Sequence, residues 1–544
     1  MNRSGDFAPS PLGGRRVSRR VALQHGGAAS LALAVTAPGT AARAAQEATP
    51  VPAQPIPAAI TAVMGQPPYA DFTQWGIFVI DRETGAMLLD LNSVQRFVPG
   101  STTKLFPAAA ALTAYGPGYR FETPVFRQGE VTDGTLDGEL ILVASGDITM
   151  GGRDLPDQTL AFGNIDHTDA NAVPGFATLT APDPLAGLDA LARQVAAAGI
   201  QQARDVIVDA RLWDQMPKDD YVLSPIMIND NVIDLTITPG TAGEPATLEW
   251  RPMTAFYDVS TTVRTVAADQ PLDVTVTAPA PNQIVLAGQI PEGNAPLLQT
   301  FQVAEPAAFA RTLFIEALAR QGVIVATPAG GPNPADRLPG RDAYEESERV
   351  ALLRSLPFAE VIKVILKVSM NRGADTLVFL LAVKEDRTAF EDGLQAIRPF
   401  LKQIGVEPGA VSLADGRGNE RADLFSPRSV VALLRGMAAG PDFAAYLDAL
   451  PILGVDGTEF MSLPATSPAL GKIAAKSGTT IAGDLLNQEY LLLGKADAGY
   501  MTARSGRELV WAVYVNDVLS ADLNELLGVG ADIGAIAEAI YEHH

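Results

Sequence analysis

Three short polar motifs, far apart in the chain, constrain its folding more than any other feature. Ser101-Thr102-Thr103-Lys104 lies in VPGSTTKLF, Ser369-Met370-Asn371 in LKVSMNRGAD and Lys476-Ser477-Gly478-Thr479 in IAAKSGTT. Each stands in a suitable local setting, and independent coincidence explains the set poorly. Together they supply a serine nucleophile, an amine base, a hydroxyl–carboxamide pair and a cationic strand edge. That is the equipment of a serine acyl-transfer site that works without histidine.

Residues i and i+3 share one helix face, so the Ser101 hydroxyl and the Lys104 amine can meet. Pro99-Gly100 breaks the chain just before Ser101, and KLFPAAAALTAYG reads as helix beyond it, which puts Ser101 at or near a helix N-terminus. Lysine is a base only when neutral. Burial and a neighbouring cation both favour that form, and Lys476 is the candidate cation. Ser369 can relay a proton to a leaving amine, and Asn371 can hold a substrate amide. The run Lys476 to Thr479 reads as an edge strand in which Gly478 admits a close backbone. Lys476, Ser477 and Thr479 can bind a terminal carboxylate. The N–H groups of Ser101 and Thr479 can form an oxyanion hole. Taken singly, each motif has a plainer reading: a capped helix with a solvated lysine, a polar patch, an exposed strand end.

Other chemistries are narrowed by what the chain lacks. It has no cysteine, which excludes disulfides, thiolate catalysis and cysteine metal sites. It has only four histidines. His25 lies in the N-terminal segment, His543 and His544 end the chain, and His167 sits in NIDHTDAN, which reads as a solvated loop. A Ser-His-Asp triad therefore lacks a base, and the motif chemistry calls for no metal or cofactor. A net charge of −22 argues against nucleic acid and against an anionic membrane surface. With 544 residues, 47% of them apolar, two to four domains are expected.

Along the chain, residues 1–45 read as an export signal. Arg19-Arg20 precedes a weakly apolar run from Gly26 to Ala37, and Ala42-Arg43-Ala44 offers a cleavage site. The pattern resembles a twin-arginine signal; a Sec-type signal or an uncleaved anchor is the alternative. The apolar run is too short to cross a bilayer, which needs about 20 residues, so no span is expected in the mature chain. Residues 46–69 read as a Pro-rich linker with a short helix at its end. WGIFVIDRETGAMLLDLN is a hairpin pattern. Residues 126–230 mix strands with the helix PLAGLDALARQVAAAG, residues 231–293 look all-β, and 305–322 reads as an amphipathic helix. PFAEVIKVILKVSMNRGADTLVFLLAV reads as helix with Ser369 inside it. Two strands flanking Ser505-Gly506 and a last helix close the chain.

At this point the sequence resembles the penicillin-recognising serine enzymes, and more narrowly the class C low-molecular-mass penicillin-binding proteins, the D-alanyl-D-alanine carboxypeptidase/endopeptidase family. The spacing of 265 positions from Lys104 to Ser369 matches the insertion of two extra domains in that class. ILVASGDITM, ADGRGNERADLFSP, LGVDGTEF and GYMTARSGRELVWAVYVND add to the likeness, which runs from about residue 70 to the end.

The resemblance implies an α/β (α+β) fold, an antiparallel sheet flanked by helices. It is built from 70–125 and 345–544, with inserted domain II at 126–230 and 294–344 and all-β domain III at 231–293. It implies Ser101 as acylated nucleophile, Lys104 as base, Ser369 and Asn371 for proton relay and substrate binding, and Lys476, Ser477 and Thr479 for the substrate carboxylate. Asp147, in SGDIT, matches a position that helps recognise the peptide stem, or it is a turn aspartate. The implied activity is an exported, periplasmic or wall-associated serine DD-peptidase that acts on peptidoglycan stem peptides and is acylated by β-lactams. A β-lactamase or esterase on the same scaffold, or a non-catalytic wall-binding relic, are the alternatives; the long insertion and the intact motif residues argue against them. The sequence carries no signal of oligomeric state. Three departures stand out: Ser477 for the usual threonine, Arg417 where serine is usual, and a long stretch after Thr479.

Overall fold

The strand Glu508–Asn516 is buried almost from end to end, and its side chains divide by parity. Val510, Ala512 and Tyr514 enter one apolar core, while Leu509, Trp511, Val513 and Val515 enter another on the opposite face. Such a strand belongs at the centre of a sheet covered on both sides. The computed structural model, which describes residues 55–70, 72–344 and 347–544, places it there. The expected export segment and the first part of the expected linker lie outside the described residues.

The strand order is Met87–Leu91, Gln74–Asp81, Glu508–Asn516, Glu489–Thr502 and Ile473–Asp484, antiparallel throughout, with Val518–Ser520 added alongside Glu489–Thr502. The strand carrying Lys476 is thus an edge strand, as expected. On one face packs the long C-terminal helix Leu523–His543, joined by the short helix Ala58–Met64 at the end of the expected linker. On the other face lie Leu105–Tyr115, Phe358–Leu366, Asn371–Lys384 and Pro427–Ala438. The α+β reading holds.

The insertion carries a second six-stranded sheet, with Gln202–Asp209 and Thr135–Val143 parallel at its centre. Glu122–Gln128 pairs with Thr135–Val143 on one side and with the edge strand Glu348–Arg354 on the other, so the expected junction at 125/126 falls inside a strand of this sheet. Residues 231–293 are strand-rich as read, but Leu297–Gln302, beyond that range, completes the sheet on Val232–Thr238. The helix Pro306–Arg320 is buried nearly all round rather than amphipathic; its Arg311 is tied to Asp205. Trp213 of the insertion stacks on Phe379 at 5.0 Å and shares the core of the catalytic helices.

One local reading is corrected. The segment expected as one helix through Ser369 is two, Phe358–Leu366 and Asn371–Lys384. Ser369 sits on the reversal between them with φ +64°. The two helices meet tightly there: a Cβ on Gly373 would lie 2.9 Å from the Ile365 side chain. The apolar pattern on both sides is helical, so periodicity alone does not reveal the break.

Candidate active site

The serine turn and the edge strand are pressed together through glycines. Gly100 has φ +50°, and a Cβ there would lie 2.5 Å from the Thr479 nitrogen. A Cβ on Gly478 would lie 2.0 Å from the Pro99 oxygen and 2.8 Å from the Ser101 nitrogen. Only glycine permits this approach, and it brings the amides of Ser101 and Thr479 to one place. The turn Gly100–Lys104 is a tight 3-10 helix that leads into Leu105–Tyr115. Thr102 anchors it, donating to the Pro99 carbonyl at 2.8 Å and lying 3.1 Å from the Tyr514 hydroxyl on the central strand.

The turn places Lys104 directly behind Ser101. Lys104 Nζ lies 2.6 Å from Ser101 Oγ, 2.8 Å from Asn371 Oδ1 and 3.3 Å from the Arg417 carbonyl oxygen. Ser101 is partly exposed, whereas Lys104 is fully buried. Burial, reinforced by the Lys476 cation, holds the Lys104 amine well below the usual lysine range, against the pull of Asp169, Asp415 and Asp375. Lys476 is also fully buried, and burial brings it down to about 8. None of the three groups within reach of the Lys104 amine is a carboxylate, so it has the environment of a neutral base.

The structure brings the other motif residues together unevenly. Asn371 bonds Lys104 directly. Lys476 Nζ donates to the carbonyl of Ser477 at 2.8 Å, and Ser477 Oγ lies 3.3 Å from Thr458 Oγ1. Thr479 is exposed on the strand edge and accepts from Lys495 Nζ at 3.2 Å. Ser369 is partly exposed on its reversal; among the described residues its hydroxyl has no hydrogen-bond partner. Asp147 is buried elsewhere in the insertion. Its Oδ1 accepts from the Thr149 amide and hydroxyl at 2.9 Å, and its Oδ2 is buried without a partner among the described residues. None of these bonds reaches the Ser101–Lys104 pair.

The reading of His167 as a solvated loop residue is overturned. The residue is 3% exposed. Its Nδ1 lies 2.6 Å from Asp234 and its Nε2 2.6 Å from Asp230, and Arg153 bonds both Asp166 and Asp230. Burial alone would depress the imidazole; Asp234 and Asp166, with the bonds to Asp230 and Asp234, instead raise it to about 10. Asp166, His167 and Asp230 have spacing suited to a metal, but the Arg153 guanidinium bonds both carboxylates and lies 3.1 Å from His167 Nε2. Asp230 enters this cluster from a run of three left-handed residues, Asn229, Asp230 and Asn231, with φ between +49° and +53°. The turn His167–Asp169 also carries Asp169, which sequence reasoning missed. Burial and the neighbouring Asp166 raise Asp169 to about 6, while Lys104 and Lys476 pull it the other way. It lines a cavity of about 260 Å³ with Asn171, Asp220, Asn371 and Arg372. The sequence signal was the density of aspartates in NIDHTDAN, which a solvated loop explains equally well.

Comparison with known proteins agrees with this geometry. The model of the family described as D-Ala-D-Ala carboxypeptidase 3 (S13) matches residues 57–527. A D-alanyl-D-alanine carboxypeptidase of Actinomadura is 27% identical over 493 residues, covering 85% of this chain and 83% of that protein. The D-alanyl-D-alanine carboxypeptidase DacB of Haemophilus influenzae is 24% identical over 458 residues, covering 80% and 84%. The crystal structure of penicillin binding protein 4 (DacB) from Haemophilus influenzae superposes with a TM-score of 0.66 at 20% identity, over 89% of this chain and 99% of that one. A second structure of that protein, complexed with a novel β-lactam, gives 0.65 at 21% identity over the same shares. These two establish the fold. With the family match spanning most of its length, the chain belongs to the D-Ala-D-Ala carboxypeptidase 3 (S13) family, a family of serine-type hydrolases.

Proposed function

We propose that this chain is an exported serine DD-peptidase that cleaves the D-Ala-D-Ala bond of peptidoglycan stem peptides through an acyl-enzyme on Ser101. The observation that carries the reading is the 2.6 Å contact between Ser101 Oγ and a buried lysine amine that lacks a carboxylate partner. The neutral amine takes the hydroxyl proton as Oγ attacks the scissile carbonyl carbon. The Ser101 and Thr479 amides receive the developing oxyanion. The C–N bond breaks, and the proton returns to the leaving D-alanine nitrogen through the Ser369 hydroxyl. Water then attacks the ester, Lys104 again accepts the proton, and Ser101 is regenerated.

Lys476, Ser477 and Thr479 bind the terminal carboxylate on the strand edge, and Asn371 holds a stem amide. The cavity beside Asn371, with Asp169 and Asp220 on its wall, suits a cationic group of the stem. β-Lactams acylate the same oxygen because their strained amide resembles the scissile bond; the β-lactam complex of the Haemophilus relative supports this. Residues 70–121 and 355–544 form the catalytic part, and 122–354 the insertion. The test is fluorescent penicillin labelling with mass spectrometry. Wild type is expected to carry one adduct on the Ser101 peptide and Ser101→Ala none; a label that persists in the alanine variant refutes the assignment.

A further inference from the structure

The wall opposite the edge strand is the loop 415–419, and one of its residues acts through both main chain and side chain. The Arg417 carbonyl oxygen accepts from Lys104 Nζ at 3.3 Å. Its side chain is only 3% exposed. Nη1 reaches Asp220 at 3.0 Å and Nη2 reaches Asp219 at 3.1 Å, both in the insertion. Nε reaches Asp415 at 3.3 Å, and the guanidinium lies 5.1 Å from the centre of the Tyr221 ring. Tyr221 in turn bonds Asp375, which accepts the Gly416 amide at 2.8 Å.

The loop has little freedom of its own. It curls around the Asp415 carboxylate, which accepts from the amides of Arg417, Gly418 and Asn419. It is also jammed against the serine turn, since a Cβ on Gly418 would lie 1.9 Å from the Gly100 oxygen. The Arg417 side chain adds a tie from the outside, so the carbonyl that touches Lys104 is held between the Asp415 turn and the Asp219–Asp220 pair.

That carbonyl matters because a neutral amine has two N–H bonds and one lone pair. Asn371 Oδ1 and the Arg417 oxygen can take the two hydrogens, which leaves the lone pair for the Ser101 hydroxyl. We propose that Arg417 is a positioning residue for acylation: clamped between Asp415 on the catalytic wall and Asp219–Asp220 of the insertion, it holds the carbonyl that orients the Lys104 amine. The inference rests on Lys104 being the base, and it makes the insertion part of the catalytic apparatus. A second effect follows from charge. Lys104 faces Lys476 from the edge strand, Asp169 from the turn 166–169, Asp375 from the helix Asn371–Lys384 and Asp415 from the loop. Arg417 pairs with Asp415 and lies 3.8 Å from Asp375, so it offsets two of the three carboxylates that favour the ammonium form.

The experiment is single-turnover acylation of the full chain by a chromogenic cephalosporin, followed across a pH series. Arg417→Ser is expected to slow acylation by about tenfold or more and to move the ascending limb by roughly one pH unit to higher pH. Non-covalent affinity should stay within about threefold. Arg417→Lys should recover part of the rate, because it restores charge but not the fork. The double variant Asp219→Asn/Asp220→Asn, at exposed positions, frees the outer half of the clamp and should slow acylation by about threefold or more, with the limb unmoved or at lower pH because two carboxylates are lost while Arg417 remains. An acylation rate within about twofold of wild type in both Arg417→Ser and the double variant overturns the proposal. Should Arg417→Ser fail to fold, the double variant decides by the same criterion. A wild-type protein that takes up no label on Ser101 instead defeats the reading of the site, and the clamp falls with it.

Discussion

Two buried charge clusters meet at the turn 166–169, and they are built on opposite terms. On one side Arg153, His167 and Arg251 face Asp166, Asp230 and Asp234, and each cation bonds a carboxylate. On the other side Lys104 and Lys476 are fully buried, and the oxygens they bond belong to a hydroxyl, a carboxamide and main-chain carbonyls. Burial is nearly the same for His167 and Lys104. The sign of the outcome is not: His167 rises to about 10, whereas Lys104 falls well below its ordinary range. Partner identity, not depth, decides whether a buried cation keeps its proton. The compensated cluster suits holding, the uncompensated one suits proton transfer.

Substitutions can break this contrast, the strongest first. Lys104→Met is expected to slow acylation by roughly three orders of magnitude. The same change should leave the thermal midpoint unchanged or raised, because it removes a desolvated amine without a carboxylate partner. A folded variant that loses several degrees would contradict the comparison. Arg153→Ala should do the reverse. It leaves Asp166 and Asp230 buried with one cation fewer and should cost about 3–5 kcal/mol in urea unfolding.

Subtler tests use pH. The folded His167 holds its proton to about 10 against an ordinary 6.5. Its contribution to stability is therefore complete below about pH 6.5 and is lost as pH rises through about 10. Melting curves over that window should decline for wild type and be flatter for His167→Gln; equal slopes would remove His167 as the cause. Smallest is the effect of Lys476. For a carboxylate-bearing substrate, kcat/KM should rise as Lys104 loses its proton and fall again near pH 8 as Lys476 does. Lys476→Arg should abolish the falling limb while the rising one persists.

The motifs and the flanking strands were legible because each carries a local pattern. The strand Glu508–Asn516 is legible from its apolar run, though not its central place, and the edge position of Lys476 from Gly478 beside a strand pattern. What escaped depends on contacts distant in sequence. His167 is buried only because Asp230 and Asp234, 63 and 67 positions on, reach it. Arg417 stood out as a departure from the family pattern, but its partners Asp219 and Asp220 lie almost 200 positions earlier. The break at Ser369 was hidden by helical periodicity on both sides, and Asp169 by looking like its solvated neighbours.

The strand Gln74–Asp81 pairs with its own hairpin partner on one side and, on the other, with Glu508–Asn516 near the end of the chain. A ribosome therefore releases Ser101 and Lys104 hundreds of residues before the strand surface against which they pack. The insertion can complete its own sheets in that interval, while the catalytic sheet waits for its final strands. The hydrolase comes into being last, and a polypeptide cut short anywhere before that closing pair of strands is inert by construction.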